Sequence, residues 1–573
     1  MFGHILTSFR VPFAIALVVL LLAASQSAGS VHAASLNVDQ ADPNCETGPG
    51  TPYCTIGAAV NAANAGDTIN VFPGTYAESV DLGTMAVPDD ITLVTVDASG
   101  TPTPSTVTVS PTTGEAFLAD GPFPGNITID GFNVTSPDSD GIRLITSGEV
   151  VIQNVTANSA LHGFWLEDST DVSLSGLTSN GNGHDGFTIV DSGTVSVSDC
   201  AGSNNGEVGF DIVASGTVTV SGSAGNGNGI DGIRLETPGV ITVTGSTANN
   251  NGNEGFFVPA GGNLAVTNAT ANDNGDEGFE IDDVDEDATF DGVTANGNVN
   301  DGIDIEPVEV DVNNVTVVNS RFESDVDDGI DLAGLDAAGA HAINSNIICA
   351  NGNEGLVQVV GSDGALGAEG NWWGAASGPT HPGNPPGTGD PVVDSANGGG
   401  GTVDFDPWID TIGGSAGAAT IGQPVVVTFQ FTGGSGAVSL AEGPGDPNGS
   451  PPFSATTDNG AVTTSGFIDS GKLEVTLTPD TVGEATVTVT GPCGLDETTG
   501  GNSVILDVAA APAEATPTPT AEATPTATPA ELPTTGGEPG SGGGAWTLAI
   551  VLLAAGALAL AGAGGLVAVR RRR

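Results

Sequence analysis

The chain has 573 residues, with 9 Lys or Arg against 69 Asp or Glu and a formal charge of −60. A surface this acidic excludes nucleic acid and anionic lipid as direct electrostatic partners and favours divalent cations, which could also bridge it to anionic polymers. Five cysteines with no Cys-x-x-Cys pair give no zinc-site spacing.

Residues 1–33 read as a signal peptide: Arg10, an apolar run from Val11 to Ala24, and the small-residue exit Val31-His32-Ala33. Export places the cysteines in an oxidising compartment, where Cys45 and Cys54 are close enough in sequence to bridge. Cys349 and Cys493 have no evident partner. Cys200 occupies a repeat position otherwise held by Leu177, Ser223 and Val293, which makes it a buried filler.

Residues 34–125 are expected to hold an N-terminal cap and the first coils of a solenoid. Thr55 to Asn64 reads as a short amphipathic helix, followed by a turn at Gly66-Asp67 and strand-like runs at Thr68 to Phe72, Ile91 to Val96 and Thr106 to Ser110.

In residues 126–370 a glycine returns every 23 residues, at Gly163, Gly186, Gly209, Gly232, Gly255 and Gly278, and extends outward to Gly141, Gly302, Gly329 and Gly355. Each unit holds an alternating apolar/polar run, an Asn/Gly-rich turn and a second short alternation after the glycine, with no helical period. Short strands repeated at this length predict an all-β parallel β-helix of ~23-residue coils, each adding a rung of about 4.8 Å. A leucine-rich solenoid shares the period, but its Leu-x-x-Leu-x-Leu signature is missing. Four residues before the glycine stand Asn182, Asn205, Asn228, Asn251, Asn274, Asn298 and Asn351, a column expected to bond along the stack as scaffold.

Residues 371–410 contain Asn371-Trp372-Trp373-Gly374 and Phe405-Asp406-Pro407-Trp408. The stretch from Thr55 through Pro73-Gly74-Thr75-Tyr76 resembles the N-terminal start of pectin-lyase-like right-handed β-helix proteins, and residues 371–410 resemble the closing segment of bacterial and archaeal surface β-helix proteins; the resemblance covers about residues 36–410. It implies fold more than activity, because that superfamily includes lyases, hydrolases, adhesins and non-catalytic proteins.

In residues 411–509 the repeat stops and short alternating strands fit an immunoglobulin-like sandwich. Residues 510–531 are Thr/Pro-rich and read as an extended stalk of roughly 60 Å at about 3.1 Å per residue. Residues 532–573 begin with Leu532, Pro533, Thr534, Thr535 and Gly536, continue through an apolar segment from Ala545 to Val569, and end in four arginines. This order resembles the sorting signal of sortase-anchored proteins, which implies cleavage after Thr535, a sortase and a cell wall or membrane as partners, and display on the extracellular face.

Chemistry is sought in two columns. The outward column just after the glycine reads Arg143, Trp165, Thr188, Asp211, Arg234, Phe257, Glu280, Asp304, Asp331 and Gln358, and the position before the glycine is acidic in most coils. Glu277, Glu280, Asp301, Asp304, Asp328 and Asp331 therefore stack on neighbouring rungs, as a candidate Ca²⁺ site or as a hydrated acidic face. Arg143 and Trp165 form a candidate ligand-binding pair, a cation beside an aromatic that could stack on a sugar. His162, His184 and Asp185 are a weaker cluster. No residue set qualifies as catalytic: arginines are too scattered for a pectate lyase, and the Asn-Thr-Asp and Gly-His-Gly segments of polygalacturonases are absent. The expectation is a non-catalytic surface module for adhesion or for binding a glycan or host-surface ligand; the alternative is a polysaccharide lyase or glycoside hydrolase acting at the acidic coils.

Overall fold

The computed structural model describes residues 33–512, less 47–51, 84–89, 105, 124, 159–160, 308–311, 360–364, 434–435, 438–452, 465–471, 492 and 494–500. The expected signal peptide, nearly all of the stalk, the Leu532 to Gly536 motif and the apolar span that follows lie outside the described residues. Among the described residues no helix is long and apolar enough to cross a membrane.

One coil explains the rest. Strand Val218–Ser221 buries alternate residues, and Gly222 at φ 55° turns the chain in a left-handed conformation that glycine adopts without steric cost. Ala224 then bridges Ala201 below and Thr247 above, and Gly227 at φ 68° makes a second turn. After Gly232 the strand Ile233–Thr244 begins, and it carries the chain around the third corner into the next coil. Pairing is parallel with a register of one repeat, Val218 opposite Val195 and Ile241. Asn and Asp take the left-handed turns where glycine does not, as at Asp199, Asn204 and Asn268, because their short polar side chains tolerate that backbone.

Stacked, the coils form a parallel β-solenoid of about 12 turns with three faces. The first face runs from Ser35–Val38 through Thr68–Val71, Ile91–Thr95 and Ile127–Asp130 to Thr402–Asp404. The second starts with Gly74–Tyr76, Val107–Val109 and Phe132–Thr135, thins to single bridges from Thr178 to Thr270, and widens again at Thr294–Asn296. The third, after the periodic glycine, carries Ile142–Thr146, Phe164–Glu167 and Phe187–Ser192 upward to Gly389–Val393.

The periodic glycines are absent from the left-handed region. Their need is space: a Cβ on Gly255 would lie 2.6 Å from the carbonyl oxygen of Gly278, and one on Gly278 would lie 2.7 Å from that of Gly302. The next residue points inward, where Phe164, Phe187 and Phe210 stack with centroids 4.9 and 4.6 Å apart.

The asparagine column forms the expected ladder. Asn205 accepts from the backbone and side-chain nitrogens of Asn182 at 3.0 Å each, and the same double contact recurs up to Asn298. Asp325 takes the next place, accepting from both nitrogens of Asn298 at 2.9 and 3.0 Å, and Asp390 ends the column above Asn351.

Thr55 caps the helix Ile56–Ala62 through its hydroxyl, and Glu78 accepts from the first backbone N–H groups, at Ile56 and Gly57. Cys45 and Cys54 are joined by a disulfide in this cap region. At the other end Trp372 and Trp373 are fully buried, and Asn371 accepts from the backbone of Asn346 and donates to Ala368.

Beyond the solenoid two small sheets enclose an apolar cluster. One contains the antiparallel strands Ile409–Ala416, Val425–Gly433, Lys472–Thr478 and Ala461–Thr464, the other Ser454–Thr457, Gly483–Thr490 and Ser503–Ala509. Ile347, Cys349 and Trp372 of the solenoid belong to the same cluster. The absence of an evident partner for Cys349 and Cys493 is corrected here, since the two are bonded to each other across 144 residues. Cys200 is buried, and burial pushes its thiol up to about 11, as an inert filler requires.

Candidate functional site: an acidic spine on the third face

The outward column of the third face is in register throughout. Arg143, Trp165, Thr188, Asp211, Arg234, Phe257, Glu280, Asp304 and Asp331 pair in sequence, each one rung above the last. The final member is Val357, opposite Asp331, and not Gln358, whose side chain lies on the inward side and is fully buried.

The position before the glycine is not a hydrated surface. Glu277, Asp301 and Asp328 are 6%, 7% and 8% exposed. One reason is local: several of these carboxyls accept the backbone N–H of the coil above, Asp185 from Val208 at 2.9 Å, Asp301 from Asp328 at 2.7 Å and Asp328 from Glu354 at 2.9 Å. Such a bond engages one oxygen and leaves the other for the outward column. Three overlapping triads result, Glu254 with Glu277 and Glu280, Glu277 with Asp301 and Asp304, and Asp301 with Asp327 and Asp328, the ligand oxygens of each within 4.8 Å of one another.

Of the six acids expected to gather, Glu277, Glu280, Asp301, Asp304 and Asp328 enter these triads, and Asp331 does not. Glu254 and Asp327 complete them. Glu254 continues the buried column downward, so the signal for it was the column itself; Asp327, one residue before that column, is brought in by the turn preceding Gly329.

Neutralising donors are scarce. Glu277 accepts from the Asn300 amide at 2.6 Å, while one oxygen each of Asp231, Asp304 and Asp331 is buried without a hydrogen-bond partner. Burial first, and then neighbouring carboxylates, push Asp301 up to about 7, Asp304 and Asp328 to about 8, Glu280 to about 9 and Asp331 to about 6. Close oxygens, little countercharge and partial desolvation are what a divalent cation would relieve, and the all-oxygen donor set fits a hard ion such as Ca²⁺ or Mg²⁺.

The lower end of the same face has a different chemistry. The guanidinium carbon of Arg143 lies 5.7 Å from the Trp165 ring centre, and the Trp165 indole donates to Glu167 at 3.1 Å. His162 meets the Trp165 ring edge-on at 4.8 Å, stacks on His184 at 5.2 Å and is bonded through Nδ1 to Asp140 at 2.8 Å. Burial alone would lower the His162 value, but the bond to Asp140 and the charges of Asp140, Asp185 and Glu207 hold it above its ordinary range. His184 bonds to Glu207 at 2.8 Å, and Asp185 approaches the far nitrogen of His162 only to 3.9 Å.

The family model described as right handed beta helix region matches residues 123–263 and 215–348. No curated protein matches the chain. Among solved structures, the A-modules of the Azotobacter vinelandii mannuronan C-5 epimerases AlgE6 and AlgE4 are similar at 18% and 15% identity, with TM-scores of 0.38 and 0.36. They cover 55% and 65% of this chain and 94% and 100% of their own. Pectate lyase Pel9A is similar at 14% identity and a TM-score of 0.25, covering 66% of this chain and 79% of that one. Likeness at this level transfers no residue role to this chain.

Proposed function

We propose that the chain is an exported, envelope-tethered β-helix that holds Ca²⁺ in the acidic spine of its third face and uses that face to contact glycan, without catalysis. The observation that carries this reading is the overlap of three carboxylate triads on successive coils, each with two buried members and one half-buried. Two carboxylates one rung apart, about 4.8 Å, repel by about 1 kcal/mol in water and about 3.5 kcal/mol at an effective dielectric of 20. A divalent ion converts that repulsion into shared coordination, and a partly open coordination sphere lets sugar hydroxyls or carboxylates join it.

The tether rests on sequence order: the LPTTG pentapeptide from Leu532 to Gly536, an apolar span and terminal arginines, which suit a sortase or plain membrane anchoring. The Thr/Pro stalk lifts the module from the envelope, and the two sheets of residues 409–509, read as an immunoglobulin-like spacer, extend it further. A second reading is a surface lyase or hydrolase. The observation that favours it is the neighbouring pair Asp304 and Asp331, whose raised values of about 8 and about 6 bracket neutrality, where acid and base roles can be divided.

Isothermal calorimetry of the purified chain with CaCl₂, followed by a glycan array with and without calcium, tests the proposal. Heat of binding and calcium-dependent retention of glycans are expected. Absence of both would sink it, and release of new reducing ends or ultraviolet-absorbing unsaturated uronides from a polysaccharide panel would move the assignment to the enzyme reading.

A further inference from the structure

We propose that Arg143 and Trp165 form a subsite for an acidic sugar, with the guanidinium receiving the carboxylate of a uronate residue and the indole packing beside its pyranose ring. The inference starts from an imbalance of charge. Of the three arginines in the coils, Arg234 lies 3.9 Å from both Asp211 and Glu236, and Arg321 is paired with Glu323. Arg143 has no carboxylate within 4 Å among the described residues and lies instead against the Trp165 ring. Its Nε is buried without a hydrogen-bond partner, as are those of Arg234 and Arg321, so the missing carboxylate is what sets it apart. In a chain with 69 acidic residues, an arginine left without an internal carboxylate stands out as a place for an external one.

The reason lies in the column. Arg143 is flanked on its face by Leu118 on the rung below and Trp165 on the rung above, so no carboxylate faces it along the stack. Arg234, over Phe257 at 5.5 Å, repeats the Arg-then-aromatic step but has Asp211 on the rung below. Trp165 is half-buried and its ring is fixed twice, by the bond from its nitrogen to Glu167 and by the edge contact with His162. A fixed indole beside a guanidinium pairs an apolar surface for the C–H face of a sugar with a planar two-pronged donor for a carboxylate. Repulsion from acids farther than about 8 Å is largely screened at physiological ionic strength, and of the nearer acids Glu167 is engaged by the Trp165 indole and Asp140 by His162. Lysine at this position would keep the charge and lose the fork.

The subsite deepens the glycan reading of the third face and rests on it, but it needs no metal. The test is a calorimetric titration of the purified chain with hexagalacturonate in EDTA, beside maltohexaose and a hexaglutamate peptide. Binding of the uronate at least tenfold tighter than either control is expected. Arg143→Ala should weaken it tenfold or more, Arg143→Lys should recover part of that, Trp165→Ala should weaken it as well, and Arg234→Ala should leave it unchanged. Circular dichroism of each variant checks the fold, and the Lys variant keeps the result readable if the Ala variant does not fold. Uronate binding that ignores Arg143→Lys and Trp165→Ala, equal binding of hexaglutamate, or no uronate binding at all would overturn the subsite. A calcium titration without saccharide reports on the acidic spine separately, so failure of either leaves the other standing.

Discussion

Asp325 shows how much one side-chain atom matters in a stacked column. In Asn298 and Asn351 the amide nitrogen also donates to a carbonyl of the coil below, at Ala271 and Phe322. At Asp325 the corresponding oxygen, Oδ2, is buried with no partner, and burial pushes the carboxyl up to about 8. Its folded value lies above the unfolded one, so the folded state binds the extra proton; stability is highest below pH ~4 and is lost as pH rises toward about 8. Asp325→Asn restores the donor and removes the titration. It should stabilise the protein by about 1–3 kcal/mol at pH 8 and little at pH 4, read from denaturant midpoints at the two pH values. Equal midpoints for both proteins at pH 8 would count against this account. Gly232→Ala should act in the opposite direction. Its Cβ would sit 2.6 Å from both the Ala248 Cβ and the Asn251 amide, and overpacking of this kind costs about 1–3 kcal/mol at any pH.

At the scale of elements, the solenoid and the terminal sheets are joined by the Cys349–Cys493 disulfide and a shared apolar cluster. Cys349 is fully buried on the solenoid side, so the bond fixes the terminal sheets against the last coils. Replacing both cysteines with alanine should uncouple them. Calorimetry is expected to resolve a separate, earlier transition for the terminal sheets, shifted by about 2–4 kcal/mol, and a single unchanged transition would contradict the coupling. The same bond marks where the sequence stopped being readable. Periodicity reveals whatever repeats, so the coil length, the glycine and asparagine columns and the stacked acids were all legible, as were the helix at Thr55 and the interior place of Cys200. A pairing across 144 residues has no period and leaves no local trace. Other misses have local causes: Asp325 broke the identity of a column while keeping its geometry, and a second asparagine column through Asn226, Asn249, Asn272 and Asn296 bonds the backbone between coils but drifts in identity at Ser203. Burial of the acids before the glycine could not be read either, since alternation alone does not say how closely the turn above covers a side chain.

Over the whole molecule, charge is the dominant unbalanced quantity, and the spine concentrates it. The values of about 6 to about 9 for Glu280, Asp301, Asp304, Asp328 and Asp331 all lie above those of unfolded carboxyls, so each group takes up protons on folding. Their favourable contribution is complete below pH ~4 and disappears as pH climbs through those folded values. In chelator, the melting temperature should therefore fall from pH 5 to pH 9. Calcium that binds the folded spine and not the unfolded chain adds about 2.7 kcal/mol at a hundredfold excess over its dissociation constant. Because a bound ion requires ionised carboxylates, that gain is largest where proton loss costs most, at the alkaline end. Melting curves in millimolar calcium should hence flatten the slope rather than displace it uniformly, and Asp301→Asn, which spans two of the three triads, should remove most of the calcium-dependent part. Parallel curves with and without calcium across this range would mean that the acids are offset by protons and solvent alone, and the spine would then be an electrostatic strain of the fold with no ion to relieve it.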